Sequence, residues 1–208
     1  MRLDLDSVAV NLGVELALTA GSYLLGGIAP GYWLVRWKTG RDVREQGSGA
    51  TGATNAARLL GVGGFALIFV LDVLKGAAAV LVAQALEVSL AWTALAALAL
   101  VLGHIWPLQL GFRGGKGVAP LIGAWLVLAP LALAPCLLLG AVVLLASRAF
   151  VRSGLTGLLL LPFAAWWQLH AFAPVVVSTI MVAVVLFAHR QHCQPSRPMT
   201  LQPNGKSR

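Results

Sequence analysis

The chain has 208 residues, of which 59% are hydrophobic and only 11% charged, with a formal net charge of +8 and a mean hydropathy of +0.85. A soluble domain of this length is about 25% charged, so too few polar side chains exist to cover a water-facing surface. The chain reads as an all-α integral membrane protein. Its cysteines, Cys136 in an apolar run and Cys193 in a basic tail, offer no metal-ligand spacing, and no metal or other cofactor is expected.

The first segment, "MRLDLDSVAVNLGVELALTAG", opens acidic and apolar. It has no basic leader and no small-residue cleavage site before a soluble domain, so the first apolar run is expected to be a retained span. At roughly 20 residues per hydrocarbon core, spans fall at 14–37, 64–86, 90–110, 118–133, 135–147, 154–170 and 173–189. Pro130 and Pro135 in "LVLAPLALAPCLLLG" mark either a tight turn between two short helices or a kink in one long helix. The expected number is therefore about seven, with six as the alternative. Residues 1–192 make one polytopic membrane domain, and 193–208 form a polar, Pro-rich tail expected to be disordered.

Seven spans place the termini on opposite sides. Thirteen of the fifteen lysines and arginines then share the face of the C-terminus, while Arg2 falls on the other with Asp4, Asp6 and Glu87. By the positive-inside rule the C-terminus is cytoplasmic and the N-terminus outside. The net charge is thus a topology signal. Spread over short loops, it does not argue for nucleic acid.

Two polar, glycine-rich loops and the end of the last span meet on that cytoplasmic face. In "GFRGGKGVAP", Gly114, Gly115 and Gly117 flank Lys116. Successive N–H groups there can form an anion-binding nest, with the start of a helix near Val118 behind it. A flexible glycine turn with a topology cation is the competing reading. In "GSGATGATNAAR", Gly47 and Gly49 permit close backbone approach, and Ser48, Thr54 and Asn55 bring hydroxyls and an amide. Arg44, three residues upstream, has the fork that suits a phosphate. Thr54 or Asn55 as a helix cap is the alternative. Two nests with two cations on one face favour an anionic ligand at the interface.

Asp72 and Lys75, spaced i, i+3 in an apolar span, read as a buried ion pair bracing helices. His104 reads as structural, bonded to a backbone carbonyl. His189, beside Arg190 and His192, reads as a proton carrier or phosphate donor. Other chemistries fail on spacing. The first glycine of a P-loop is Leu110 here, and Ser48 is flanked by Gln46 and Ala50 rather than the glycines of a nucleophile elbow.

Together, "GGIAPGYWLVRWKTGRDVREQGSGATGATNAARLLG", "LDVLKG", "GHIWPLQLGFRGGKGVA" and "FAHR" resemble the bacterial acyl-phosphate:glycerol-3-phosphate acyltransferases, the PlsY family. The resemblance implies a seven-helix enzyme of the bacterial cytoplasmic (inner) membrane with its site facing the cytoplasm. It would move an acyl chain from acyl phosphate to the 1-hydroxyl of glycerol 3-phosphate, giving lysophosphatidic acid and phosphate. Both phosphate substrates and the membrane lipid would then be its partners. Ser48, Lys116 and His189 are the expected catalytic residues. Arg44, Gly47, Gly49, Thr54, Asn55, Gly114, Gly115, Gly117 and His192 are the expected substrate- and phosphate-binding residues. Another acyltransferase group uses H-x-x-x-x-D, but five residues after His104 stands Gln109.

Three departures qualify the resemblance. The family's G-S-G-N reads Gly47-Ser48-Gly49-Ala50, its G-S-I-P-F-G-Y reads "GGIAPGY", and its closing H-R-E-N-I reads His189-Arg190-Gln191-His192-Cys193. These leave open a paralogue with another donor or acceptor. A transporter or binding protein for a phosphorylated metabolite is a further alternative, disfavoured by the lack of an internal repeat.

Overall fold

The computed structural model describes residues 5–191, with side chains from Asn11 to Arg190. The expectations for His192, Cys193 and the tail lie outside the described residues. Among the described residues nine helices follow in order: α1 Leu5–Gly26, α2 Pro30–Thr39, α3 Ala53–Ala85, α4 Leu90–Ile105, α5 Val118–Leu128, α6 Pro130–Ser147, α7 Phe150–Leu158, α8 Leu161–Leu169 and α9 Phe172–Gln191. Single 3₁₀ turns at Val43–Glu45 and Leu108–Leu110 punctuate the two glycine-rich loops.

Among the described residues six helical stretches, 11–39, 53–85, 90–110, 130–147, 150–169 and 172–190, are long and apolar enough to cross a membrane. The shorter α5 has 11 residues. Leu145, Trp37, Phe172 and Phe163, at 83%, 80%, 77% and 74% exposure, belong to the outward surface, where lipid tails replace water as the natural neighbour.

Several expected spans change at glycine and proline. The span 14–37 is two helices, because α1 ends at Gly26 and Pro30 sits in the first turn of α2. Proline has no N–H with which to continue a preceding helix. The boundary expected between 133 and 135 lies instead at Ala129: Pro130 opens α6, and Pro135 is inside it. The span 154–170 is α7 and α8, jointed at Leu159 and Leu160 just before Pro162. The segment that Thr54 or Asn55 would cap and the span expected at 64–86 join as α3, whose 33 residues would run about 50 Å if straight. They do not run straight. Gly61 has φ 68° and ψ −166°, a conformation open essentially to glycine alone, and this sets a short cap, 53–60, at an angle to the long segment.

Lipid supplies no hydrophobic drive for helix pairing, so close contact rests on small residues. On α3 Gly76 abuts the Pro120 carbonyl of α5, and on α5 Gly123 abuts that of Val73. Gly26 and Gly103 do the same between α1 and α4, and Gly157 sits against the Cys136 carbonyl of α6. Added methyls at these glycines would strike backbone. At the centre, Trp125 is fully buried among Leu100, Leu121, Leu133, Met181 and Val185. The bundle therefore holds the starts of α3 and α5, and the loops preceding them, in fixed relation.

Candidate active site

The first loop is wound around one amide. The two protons of Asn55 Nδ2 are shared among the carbonyls of Val43, Gln46 and Ala50, each 2.9 Å away, and its Oδ1 accepts from the Ser48 N–H at 3.1 Å. Gly47, at φ 50°, lies so near Asn55 and Arg58 that a side chain there would collide with both. Asn55 is 3% exposed, so this buried polar network is the skeleton of the loop.

Arg44 turns away from the cavity described below. Its Nε donates to Asp42 Oδ1 at 3.0 Å, its Nη2 to Oδ2 at 2.7 Å, and its Nη1 to the Leu110 carbonyl at 3.0 Å. The guanidinium also lies 4.9 Å from the centre of the Tyr32 ring. The hydrogen bonds from Arg44 hold the Asp42 carboxyl below the ordinary carboxylate range, and Asp42 in turn raises Arg44. Arg44 thus clips the first loop to α2 and to the second loop.

The second loop doubles back on the end of α4. The Gly114 N–H donates to the Ile105 carbonyl at 3.1 Å and the Gly115 N–H to that of His104 at 2.9 Å. Gly114 then accepts from the Thr51 N–H at 3.1 Å, which joins the two loops directly. A Cβ on Gly115 would run into the His104 ring. These two N–H groups belong to the loop's own fold rather than to a nest. Gly115→Ala is accordingly expected to destabilise the protein by about 1–3 kcal/mol through overpacking against a held imidazole, read as a lower Tm in detergent.

Past Lys116, Gly117 adopts the left-handed conformation, φ 85°, and caps α5. The first intrahelical bonds of α3 and α5 are those to the Gly52 and Gly117 carbonyls from Asn55, Ala56 and Leu121. The N–H groups of Ala53, Thr54, Val118 and Ala119 lie ahead of them, at the positive ends of two helix dipoles.

Both ends open on one cavity of about 440 Å³. Ser48, Thr54, Arg58, Lys116 and His189 line its polar part, and Phe65, Phe69, Ile122, Leu144, Leu155 and Leu158 its apolar part. His189 Nδ1 lies 2.8 Å from the Val185 carbonyl. A carbonyl only accepts, so Nδ1 is the donor in this contact. Cations, helix N-termini and a large apolar wall around one cavity suit an amphiphilic phosphate.

Of the residues expected from sequence, Ser48, Thr54, Asn55, Lys116, Gly117 and His189 line this cavity, and Arg44, Gly47, Gly49, Gly114 and Gly115 do not. His192 lies outside the described residues. Ala50, where the resemblance leads one to expect Asn, is buried and gives its carbonyl to Asn55. Arg58, absent from the expected site residues, also lines the cavity; its position one turn after Thr54, on the same face of a helix, is the signal for it in the sequence. His104 bonds Lys75 at 2.9 Å through Nδ1 rather than the expected carbonyl, and with Asp72 it reaches the cavity wall.

The profile of the family described as "Glycerol-3-phosphate acyltransferase" matches residues 16–196. The chain is 43% identical over 179 residues to glycerol-3-phosphate acyltransferase 1 of Desulfitobacterium hafniense (strain Y51), covering 86% of this chain and 89% of the relative. It is 42% identical over 181 residues to the glycerol-3-phosphate acyltransferase of Synechococcus sp. (strain CC9902), covering 86% and 90%. Among solved structures it superposes on PlsY (YgiH), an integral membrane glycerol 3-phosphate acyltransferase, in its glycerol 3-phosphate form. That match has a TM-score of 0.80 and 30% identity, over 86% of this chain and 89% of the other. The lysophosphatidic acid form of PlsY matches with a TM-score of 0.77 and 29% identity.

Proposed function

The chain belongs to the glycerol-3-phosphate acyltransferase family, and from that premise we propose that its cavity takes an acyl phosphate and glycerol 3-phosphate side by side at the cytoplasmic face. The enzyme is an integral, multi-pass membrane glycerol-3-phosphate acyltransferase that produces lysophosphatidic acid. The observation that carries the proposal is the joining of two helix N-termini and three basic side chains to an apolar chamber in one cavity.

The acyl tail occupies the apolar chamber. Its phosphate then falls at the neck, against half-buried Lys116, His189 and the start of α5. Glycerol 3-phosphate, which has no tail, takes the outer end near Ser48 and the exposed Thr54 and Arg58. Its 1-hydroxyl oxygen attacks the acyl carbonyl carbon, the bond from that carbon to the phosphate oxygen breaks, and the departing phosphate takes the hydroxyl proton. An acyl phosphate is already activated, so alignment and neutralisation of the leaving charge suffice, and no covalent enzyme intermediate is needed. His189 helps to hold and orient the acceptor at the polar end of the cavity. Asn55, Gly47 and Gly49 shape the first loop, and Gly114 and Gly115 the second. Arg44 holds the two loops together. Seven crossings with a cytoplasmic C-terminus follow if α5 completes a crossing within the bundle, with the cation distribution as support.

The donor is tested with purified protein, palmitoyl phosphate and radiolabelled glycerol 3-phosphate, without ATP, CoA or carrier protein. Labelled lysophosphatidic acid is expected. Product from palmitoyl-CoA alone would refute the donor assignment. The chamber is tested at Gly154, which lines the cavity and where an added Cβ meets nothing within 4 Å. Gly154→Leu is expected to fold normally and to lower turnover of palmitoyl phosphate more than that of decanoyl phosphate, since the added side chain takes room from the longer tail.

A further inference from the structure

A buried ionic cluster sits beneath both loops. Asp72, Lys75 and His104 are 2%, 7% and 4% exposed. Lys75 Nζ donates to the Gly26 carbonyl at 3.0 Å and to that of Ile28 at 2.7 Å, and it meets His104 Nδ1 at 2.9 Å. An ammonium has three protons, and these are three partners. Asp72 Oδ1, at 2.9 Å, is its counter-ion. His104 meets Lys75 through Nδ1, 3.5 Å from Asp72 Oδ1, and packs its Nε2 edge on Gly115.

We propose that Lys75, with Asp72 and His104, is the positioning centre of the acyl-transfer site, setting both glycine-rich loops from one buried ammonium group. Toward the second loop, Lys75 fixes the His104 ring, and the ring and carbonyl of His104 seat Gly115 next to Lys116. Toward the first loop, Lys75 holds the carbonyls at the break between α1 and α2. Gly31, in the first turn of α2, rests on the Thr51 carbonyl, and the Thr51 N–H bonds Gly114. The contacts form a closed ring, from Lys75 through α2, Thr51, Gly114 and His104 back to Lys75. A brace alone does not call for charge, since apolar residues of similar volume often serve stability as well or better than a buried ion pair. Polar atoms arranged around one ammonium specify direction, which a site aligning two anions requires.

The proposal rests on the reading that the loops carry the phosphate-binding groups, so Lys116→Ala is assayed in parallel. The first variant is Asp72→Asn with Lys75→Met, which keeps size and leaves no unpaired buried charge. It is expected to retain a cooperative thermal transition and KM values within about threefold of wild type, while kcat falls about 100-fold. Wild-type kcat in that variant would overturn the proposal, and loss of activity in Lys116→Ala alone would leave the site assignment standing. If Lys116→Ala is itself fully active, the site assignment fails and the proposal with it. Should the double variant not fold, His104→Asn decides. It keeps an acceptor for Lys75 but removes the ring from Gly115. A fall in kcat of at least tenfold with unchanged KM is expected, and an unchanged kcat would overturn the proposal.

Discussion

Replacing Lys116 with alanine is expected to lower kcat by about 10²- to 10³-fold, the range seen when one preorganised group that stabilises developing charge is removed. The lysine lines the cavity next to the Gly117 cap of α5. There its charge adds to N–H groups already directed at an anion. The leaving group gains charge as its bond to the acyl carbon breaks, so the interaction strengthens toward the transition state and belongs in kcat more than in KM. Lys116→Arg is expected to recover only part of the loss, because a planar fork does not reproduce a compact point charge. Initial rates at saturating levels of both substrates give the comparison. A kcat within threefold of wild type for the alanine variant would remove Lys116 from the chemistry.

Asn55→Ala is expected to abolish activity by a different route. The substitution leaves the carbonyls of Val43, Gln46 and Ala50 and the Ser48 N–H without the partner they have now. Each buried group so orphaned costs about 1–3 kcal/mol unless the loop opens to water. Opening is the cheaper course, and it displaces Ser48 from the cavity. Trypsin should then cut after Arg41 or Arg44 faster than in wild type, while the helices beyond Gly61 stay protected. Asn55→Asp should be no better, since a carboxylate cannot donate to three carbonyls. An Asn55→Ala protein that is inactive yet as protease-resistant as wild type would make Asn55 a direct ligand rather than the loop's skeleton.

The contrast between these two residues shows how far a sequence carries such a site. Composition alone implied a helical membrane protein, and the two glycine-rich blocks pointed to one site. What stayed hidden was direction. Arg44 and Lys116 look alike as cations beside glycines, yet Asp42, two residues from Arg44, folds back on it, while Lys116 lines the cavity. Asn55 and Thr54 are neighbours, and the helical turn sends one inward to the loop and the other to the cavity. Arg58 repeats the direction of Thr54 at i+4, a relation that becomes meaningful once the helix is known to start at Ala53. The pairing of Asp72 with Lys75 was legible from spacing within one helix. Their contacts with His104, Gly26 and Ile28 join three segments, and tertiary packing of that kind leaves no mark on local sequence.

Helix boundaries followed the same logic. Pro30 and Pro162 divide apolar runs that hydropathy alone reads as continuous, whereas Pro135 is carried inside α6. A proline signals a stop only where the surrounding packing does not hold the helix through it.

The central claim is that both phosphates bind where the starts of α3 and α5 meet Arg58, Lys116 and His189. The most direct measurement is a structure of the protein with glycerol 3-phosphate and a non-transferable acyl phosphonate bound together. The phosphonate head is expected within hydrogen-bonding distance of Lys116 and the Gly117–Ala119 backbone, its tail among Phe69, Ile122 and Leu155, and the second phosphate near Thr54 and Arg58. Both ligands bound away from this cavity, or a tail lying outside the apolar chamber, would contradict it.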